Sequence, residues 1–438
     1  MNYLLIGSGA REHAIAKALH KSFKTDDVLH CFGSSVNPGI LALTDCYQTG
    51  DVSDIEKILW FCQNTKFEFA IIGPEAPLAK GVADRLWQHG IPVVGPKQAL
   101  AQLETSKTFT RNLFQKYNIP GSAHYQSFNN LHGVEAFLKT LGDAYVIKAD
   151  GLMGGKGVKV AGDHLANHAD ALAYCQELID HNSSFLIEEK LVGQEFSLIS
   201  FCDGEHLAHM PAVQDHKRAF ENDTGPNTGG MGTYTDANHS LPFLTMNDIN
   251  AAQQLNEHVA RAVKLECGEG YQGILYGGFM ATKNGVNVIE YNARFGDPES
   301  INLLTLLESD FIAICKAIVT GTLNQNRVKF ANLASVCKYL VPEGYPEQAV
   351  KGHEIFIDAT VDQSKLLYGA VHLEDGKLIE TGSRTIAVVA TAQTISEAEQ
   401  LVEAEIQHVR GPLFHRRDIG TPAIIDQRIQ AMRELRDA

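Results

Sequence analysis

The sequence predicts a multidomain chain of α/β and α+β type that opens on a doubly wound parallel sheet. Three observations carry this. The first hundred residues alternate short apolar strands with helices, the pattern of a parallel sheet covered on both faces. From Gln194 the chain turns strand-rich, with hairpin dipeptides Asp203–Gly204 and Asn284–Gly285 between apolar runs. Its 438 residues exceed one ordinary domain of ~100–200, so roughly three are expected.

The elements follow in chain order. Tyr3–Ile6 reads as a buried strand, GSGARE as the turn after it and Arg11–Lys21 as a helix. Val28–Phe32, Phe67–Ile72 and Ile91–Val94 read as further strands, with a helix over Asp54–Asn64. Ligands of such a sheet sit at the carboxyl ends of its strands, which here carry GSGARE, FGSSVNPG and GPEAP. One long helix is expected over Gln98–Lys116. Tyr125–Val192 alternates short strands and helices, with Tyr145–Ala149 and Phe185–Glu189 the clearest strands. A helix over Asn247–Lys264 interrupts the strand-rich region, and helices fill Pro298–Thr320. A third region after Asn332 shows strands near Ser335–Val341 and Thr385–Ala390, a hairpin at Asp375–Gly376 and a helix over Ser396–Val409.

Composition narrows the function classes. A hydrophobic content of 44% suits ordinary globular cores. The net charge of −15 argues against a broad nucleic-acid or anionic-membrane surface, while leaving room for a local cationic pocket. The eight cysteines show no CxxC spacing, as expected of reduced thiols in a cytoplasmic protein. MNYLLIGSGA lacks the basic start of a signal peptide, and no run approaches the ~20 apolar residues of a membrane span.

Four motifs carry chemistry. Gln214–Gly232, QDHKRAFENDTGPNTGGMG, sets Asp215, His216, Lys217 and Arg218 beside a glycine-rich loop, suited to anionic groups approached closely by backbone. GSGAREHA, Gly7–Ala14, aims a helix N-terminus at an anion. A nicotinamide-dependent oxidoreductase would want an acid at the end of the second strand, but HCFGSS has none. The GxGxxG pattern also fails at Glu12, and Arg11 suits a phosphate directly. VIKADGLMGGKGV, Val146–Val158, is a flap whose Lys148 and Lys156 can neutralise a triphosphate; it lacks the GK[ST] of a Walker loop. VIEYNARFGDPE puts Glu290, Asn292 and Arg294 on one face of a strand, oxygen ligands for magnesium beside a cation for a phosphoryl group. In FLIEEKLVGQEFS, Glu188, Glu189 and Glu195 at strand edges can receive an adenine amino group and ribose hydroxyls. Taken singly, a solvated loop or a half-exposed strand would read like several of these segments.

Together these residues resemble the ATP-grasp superfamily and, within it, the phosphoribosylamine–glycine ligase family. GSGAREHA, Asn37–Gly39, Gly73–Leu78, KADGLMGGKGV, QDHKR, DTGPNTGGMG, NARFGDPE and the late FHRRDIG carry the likeness along nearly the whole chain. The resemblance implies an ATP-grasp fold with an N-terminal domain over 1–103 and an ATP-grasp domain over 104–327. It also implies a mobile B lobe over about 123–191 and a small C-terminal α+β domain over 328–438. The activity implied is the ATP-dependent joining of glycine to 5-phospho-β-D-ribosylamine through a glycyl phosphate, in purine biosynthesis. The partners would be these small molecules, with no nucleic acid and no membrane, for a monomer.

Carried over by position, Lys107, Lys148, Gly154, Gly155, Lys156, Glu188, Glu189, Leu191 and Glu195 should bind ATP. Glu290 and Asn292 should hold Mg2+ or Mn2+. Gly9, Arg11, Glu12, Asn37, Pro38, Gly39 and Glu75 should meet the phosphoribosylamine. Asp215, Lys217, Asn227, Gly229, Gly230 and Arg294 should surround the glycine and the phosphoryl group, with Arg294, Lys148 and Asp215 catalytic. The Asp215–His216 pair is a candidate base, although a lone histidine beside a loop is more often structural. Ser8, Ala10 and Met153–Gly154 depart from the family pattern in ways that should preserve the backbone donors. The strand Gly273–Ala281 lacks a carboxylate found in many ATP-grasp enzymes, leaving a second ion with fewer protein ligands.

Overall fold

Five parallel strands open the chain in the computed structural model, which describes residues 1–153 and 157–437. They are β1 (Asn2–Ile6), β2 (Val28–Gly33), β3 (Cys46–Thr49), β4 (Phe67–Ile72) and β5 (Val93–Val94), in the order β3-β2-β1-β4-β5. Runs such as LLI and FAII are apolar on both faces because helices cover both sides of the sheet. The strand order reverses between β1 and β4, so the crevice of the sheet lies between the loops after those two strands.

The expected helix over Gln98–Lys116 is two helices, Gln98–Thr105 and Lys107–Lys116. Ser106 breaks it with extended backbone and caps the second helix through its hydroxyl, 3.1 Å from the Phe109 amide. Asp150 Oδ1 accepts from the Lys107 amide at 2.6 Å. The break therefore ties this helix to the start of the flap.

The next segment is a small lobe with its own core. Its strands β6 (Tyr125–Phe128), β7 (Tyr145–Ala149), β8 (Val158–Val160) and β9 (Phe185–Glu189) form an antiparallel sheet ordered β6-β9-β7-β8. Helices Val134–Leu141 and His168–Asp180 add Phe137, Leu138, Tyr174 and Leu178 to a cluster with Phe128, Ile147 and Phe185. That cluster is separate from the cores of the rest of the chain.

A central antiparallel sheet follows, ordered Leu207–His209, Gln194–Asp203, Gln272–Thr282, Gly285–Asn292. The helix Met246–Cys267 packs on it, started by a Thr245–Asp248 capping box and stopped by left-handed Gly268. The C-terminal region is stitched to this centre. Gln214–Asp215 and Gly232–Thr235 extend a sheet with Ala334–Pro342, Ile386–Ala392 and Leu366–Tyr368. The Asp375–Gly376 hairpin forms as expected, with positive φ at both residues.

The N-terminal helix Ala10–Lys21 also docks on the C-terminal region. Lys17 Nζ donates to the carbonyls of Gln363, Ser364 and Leu366 at 3.2, 2.9 and 2.9 Å. His13 stacks on Tyr368 and accepts from its amide at 3.0 Å. Burial drops the His13 pKa to about 3, which keeps the ring neutral and able to accept.

Candidate active site

All four pieces contribute to one cavity of about 950 Å³. The strand Gly285–Asn292 supplies Glu290 and Asn292 two residues apart on its cavity face, with Arg294 just beyond. Arg294 sits between two carboxylates, Nη2 2.9 Å from Glu104 Oε1 and Nε 3.3 Å from Glu75 Oε2. Burial opposes its charge, but Glu104 and Glu75 outweigh it and lift the guanidinium above its ordinary range.

Lys148 on β7 donates to the Ile289 carbonyl at 3.1 Å and lies 2.7 Å from Glu188 Oε2 on β9. Glu188 is itself gripped by Arg111, at 2.6 and 3.0 Å, in bidentate fashion. Arg111 further donates to the carbonyls of Val288 and Ile289. Burial would raise the Glu188 pKa, but Arg111 and Lys148 bring it down to about 2. Lys107 Nζ reaches the Gly151 carbonyl at 3.0 Å, and burial draws its ammonium below the usual lysine range.

Lys217 pairs with Glu195 and stands 3.7 Å from Glu290. Burial lowers its pKa, and the two carboxylates more than reverse that, holding it well above the lysine range. The same cations, Lys217 first, keep Glu290 ionised below the usual carboxylate range despite burial. Asp215 Oδ1 is buried with no hydrogen-bond partner among the described residues. Burial, then the charge of Glu299, pushes its carboxyl well above the usual range. Around these groups the glycine-rich loop is pinned from two sides. Thr228 donates to the Lys217 carbonyl from its amide and hydroxyl, while Arg384 donates to the carbonyls of Gly229, Gly230 and Asp297 at 2.6, 3.3 and 2.6 Å.

The cavity thus gathers Arg11, Glu75, Lys107, Lys148, Glu188, Glu189, Leu191, Glu195, Asp215, Lys217, Asn227, Gly229, Glu290, Asn292 and Arg294 from the sequence-derived set. Gly154, Gly155 and Lys156 lie outside the described residues. Six others stand behind the wall. Glu12 Oε2 accepts from the Gly9 amide at 2.6 Å and Oε1 from Arg11 Nε at 2.5 Å. A Cβ on Gly73 would stand 2.0 Å from its Oε1, so this carboxylate fills the crevice between the β1 and β4 loops. Asn37 caps the short helix Pro38–Leu41 and donates to the carbonyls of Ser8 and Tyr368 at 2.9 and 2.6 Å. Pro38 opens that helix, and a Cβ on Gly39 would meet the His13 ring at 2.0 Å. Gly230, at φ +112°, leaves room for Asp215 and Pro298.

His216 also turns away from the cavity. Asp215 and Lys217 face inward, and strand alternation sends the imidazole toward Tyr234, Asp223, Arg416 and Arg428. Arg416 of FHRRDIG is buried there, donating to the Arg218 carbonyl and to Asp223 at 3.1 and 2.9 Å, and supports the QDHKR strand from behind. The pairing of Asp215 with His216 as a base therefore has no geometric basis. Arg111, Glu104, Tyr276 and Arg384 join the site without having been signalled by any motif, and Glu299, the last residue of VIEYNARFGDPE, joins it without having been assigned a role.

Three models of one family match consecutive parts of the chain. The phosphoribosylglycinamide synthetase N domain matches residues 1–104, its ATP-grasp (A) domain 105–300 and its C domain 335–422. The chain belongs to the phosphoribosylglycinamide synthetase family. Similar relatives bear this out along the whole length. A phosphoribosylamine–glycine ligase of Methanosarcina acetivorans is 47% identical over 436 residues, covering 100% of this chain and 98% of that one. One from Methanobrevibacter smithii is 46% identical, covering 99% and 100%. Among solved structures, a phosphoribosylamine–glycine ligase from Thermotoga maritima superposes with a TM-score of 0.81 at 28% identity, covering 96% of this chain and all of that one. The biotin carboxylase domain of the Hydrogenobacter thermophilus 2-oxoglutarate carboxylase shares the fold at a TM-score of 0.73 and 14% identity, covering 100% of this chain and 95% of that one.

Proposed function

We propose that this synthetase joins glycine to 5-phospho-β-D-ribosylamine, giving N1-(5-phospho-β-D-ribosyl)glycinamide, ADP and phosphate, through a glycyl phosphate. The observation that supports this best is the convergence of Lys107, Lys148, Lys217 and Arg294 on one cavity wall with Glu290 and Asn292. A carboxylate does not condense with an amine in water, because it is a poor electrophile. Phosphorylation by ATP turns one carboxylate oxygen into part of a phosphate leaving group. The ribosylamine nitrogen then attacks the carbonyl carbon, the C–O bond to phosphate breaks, and the nitrogen loses a proton.

Lys107, Lys148, Glu189, Leu191 and Glu195 line the nucleotide end in this reading; Gly154, Gly155 and Lys156, outside the described residues, are proposed to bind ATP as well. Glu188 acts there through Lys148, since Arg111 and Lys148 already occupy its carboxylate. Arg294, Lys217 and Asn227 surround the transferring phosphoryl group, where fixed cations offset charge that grows in the transition state. Arg11 and Glu75 line the end nearest the N-terminal sheet and face the phosphoribosylamine. ATP-grasp enzymes use ATP with divalent metal ions. One ionised carboxylate beside an amide oxygen fits Mg2+ or Mn2+, which takes its other ligands from phosphates and water. Glu290 and Asn292 would hold that ion, and bound there it would neutralise nucleotide phosphates.

The lobe at about 123–191 closes over the nucleotide and excludes water from the acyl phosphate. The domains span 1–103, 104–327 and 328–438. No helix among the described residues is long and apolar enough to cross a membrane, and the chain works as a cytoplasmic monomer. The test is ADP release with ATP and magnesium, adding glycine and phosphoribosylamine separately and together. ADP only with both substrates supports the ligase. Release that ignores phosphoribosylamine, or none at all, refutes it.

A further inference from the structure

Glu299 has no part in the roles above, yet it lines the cavity with a side chain only 3% exposed. Its Oε1 accepts from the Tyr276 hydroxyl at 2.8 Å, and that hydroxyl meets Ser197 Oγ at 2.6 Å. Among the described residues no cation lies within ion-pair distance of this carboxylate, whose other contact is its own backbone amide. Oε2 is the oxygen beside Gly296. It lies 2.4 Å from where a Cβ on Gly296 would stand, so the glycine leaves space for this oxygen. Asp215, on which the charge of Glu299 acts, has an unpartnered Oδ1 with space left for it by Gly230, where an added Cβ would also meet Pro298 beside Glu299.

The neighbouring cations are committed elsewhere. Lys217 serves Glu195 and Glu290, Arg294 serves Glu75 and Glu104, and Arg384 serves Asp297. Two desolvated carboxylates side by side are costly unless a cation comes between them. An ammonium group brings one charge and three donors. We infer that Glu299, held by Tyr276 and acting with Asp215, is the counter-charge for the α-ammonium group of the amino-acid substrate. This rests on the ligase reading and adds a consequence to it. An amine held as its ammonium is no nucleophile, so the ribosylamine nitrogen is the only free amine facing the glycyl phosphate.

The test compares glycine with glycolate, which keeps the carboxylate and replaces the ammonium by a hydroxyl. Steady-state ADP release by the full chain gives KM for each substrate and Ki for glycolate against glycine. Glu299→Gln should raise the glycine KM about 30-fold or more, the effect of removing one partner of a buried charge pair. KM for ATP and phosphoribosylamine, and Ki for glycolate, should stay within about twofold. Glu299→Asp should restore part of the preference for glycine. The unmodified chain supplies a test free of folding effects: its glycolate Ki should exceed its glycine KM by about 30-fold or more. An unchanged glycine KM in Glu299→Gln, equal shifts for glycine and glycolate, or equal binding of the two by the unmodified chain would overturn the clamp alone. No ADP from the unmodified chain with both substrates would sink the ligase reading, and the clamp with it.

Discussion

Arg111→Met isolates the charge network beneath Lys148. Arg111 and Glu188 have side chains 3% exposed, joined at 2.6 and 3.0 Å, and Lys148 reaches the same carboxylate at 2.7 Å. A Glu188 pKa lowered from 4.5 to about 2 corresponds to about 3 kcal/mol of preference for the charged form in the folded chain. Because the folded value lies below the ordinary one, that stability is fully present above pH 4.5 and disappears as pH falls through about 2. Arg111→Met leaves Glu188 with Lys148 alone and should cost about 3–5 kcal/mol in urea unfolding at neutral pH, with acid destabilisation beginning at higher pH. Arg111→Met/Glu188→Gln should not recover that loss, because the buried Lys148 ammonium is then left without its carboxylate. The double variant should also bind ATP more weakly, since Lys148 has lost the carboxylate that holds it and keeps only neutral acceptors such as the Ile289 carbonyl. A cost under about 1 kcal/mol for Arg111→Met, or a double variant as stable as the unmodified chain, would refute the network as the support of Lys148.

Four further changes probe separate parts of the site. Arg294→Ala should lower kcat by about 10²–10³ with a much smaller change in ATP affinity; equal losses in a turnover and binding comparison would count against a transition-state role. Glu290→Ala should blunt the dependence of ADP release on magnesium, and an unaltered magnesium titration would remove Glu290 from the metal site. Asp163 on the lobe meets Arg218 of the central region at 3.2 Å in a partly exposed pair. Asp163→Ala should raise the ATP KM by no more than about fivefold, a larger rise in nucleotide titrations showing that the contact does more than latch the lobe. Asn37→Ala removes a helix cap and two buried donor contacts, so it should cost about 2–4 kcal/mol of stability. Its phosphoribosylamine KM should stay within about twofold, and a selective rise in that KM would return Asn37 to the binding site.

Local chemistry made much of this molecule legible in its sequence. Apolar strands ending in glycine turns marked the parallel sheet, because both faces of such strands must be buried. Two-residue alternation put Glu290 and Asn292 on one face, and the lysine flap and QDHKR announced themselves by charges next to glycine. What stayed hidden depends on partners distant in sequence. Arg111 reads as an ordinary helix cation until Glu188, 77 residues away, closes on it. Arg384 comes from the C-terminal region, 155 residues from the Gly229 carbonyl it pins. Glu12 and Asn37 stand in motifs that suit a ligand, yet their polar atoms are spent on Gly9, Ser8 and Tyr368. The helix expected over Gln98–Lys116 kept its periodicity across Ser106, and only Asp150 at the flap reveals why it breaks there.

The most direct measurement is the fate of oxygen-18 from carboxylate-labelled glycine during turnover with ATP and phosphoribosylamine. An acyl phosphate pathway transfers one labelled oxygen to the inorganic phosphate and leaves the other in the glycinamide product. Phosphate free of label, formed in step with the amide, would contradict phosphorylation of the glycine carboxylate in this cavity.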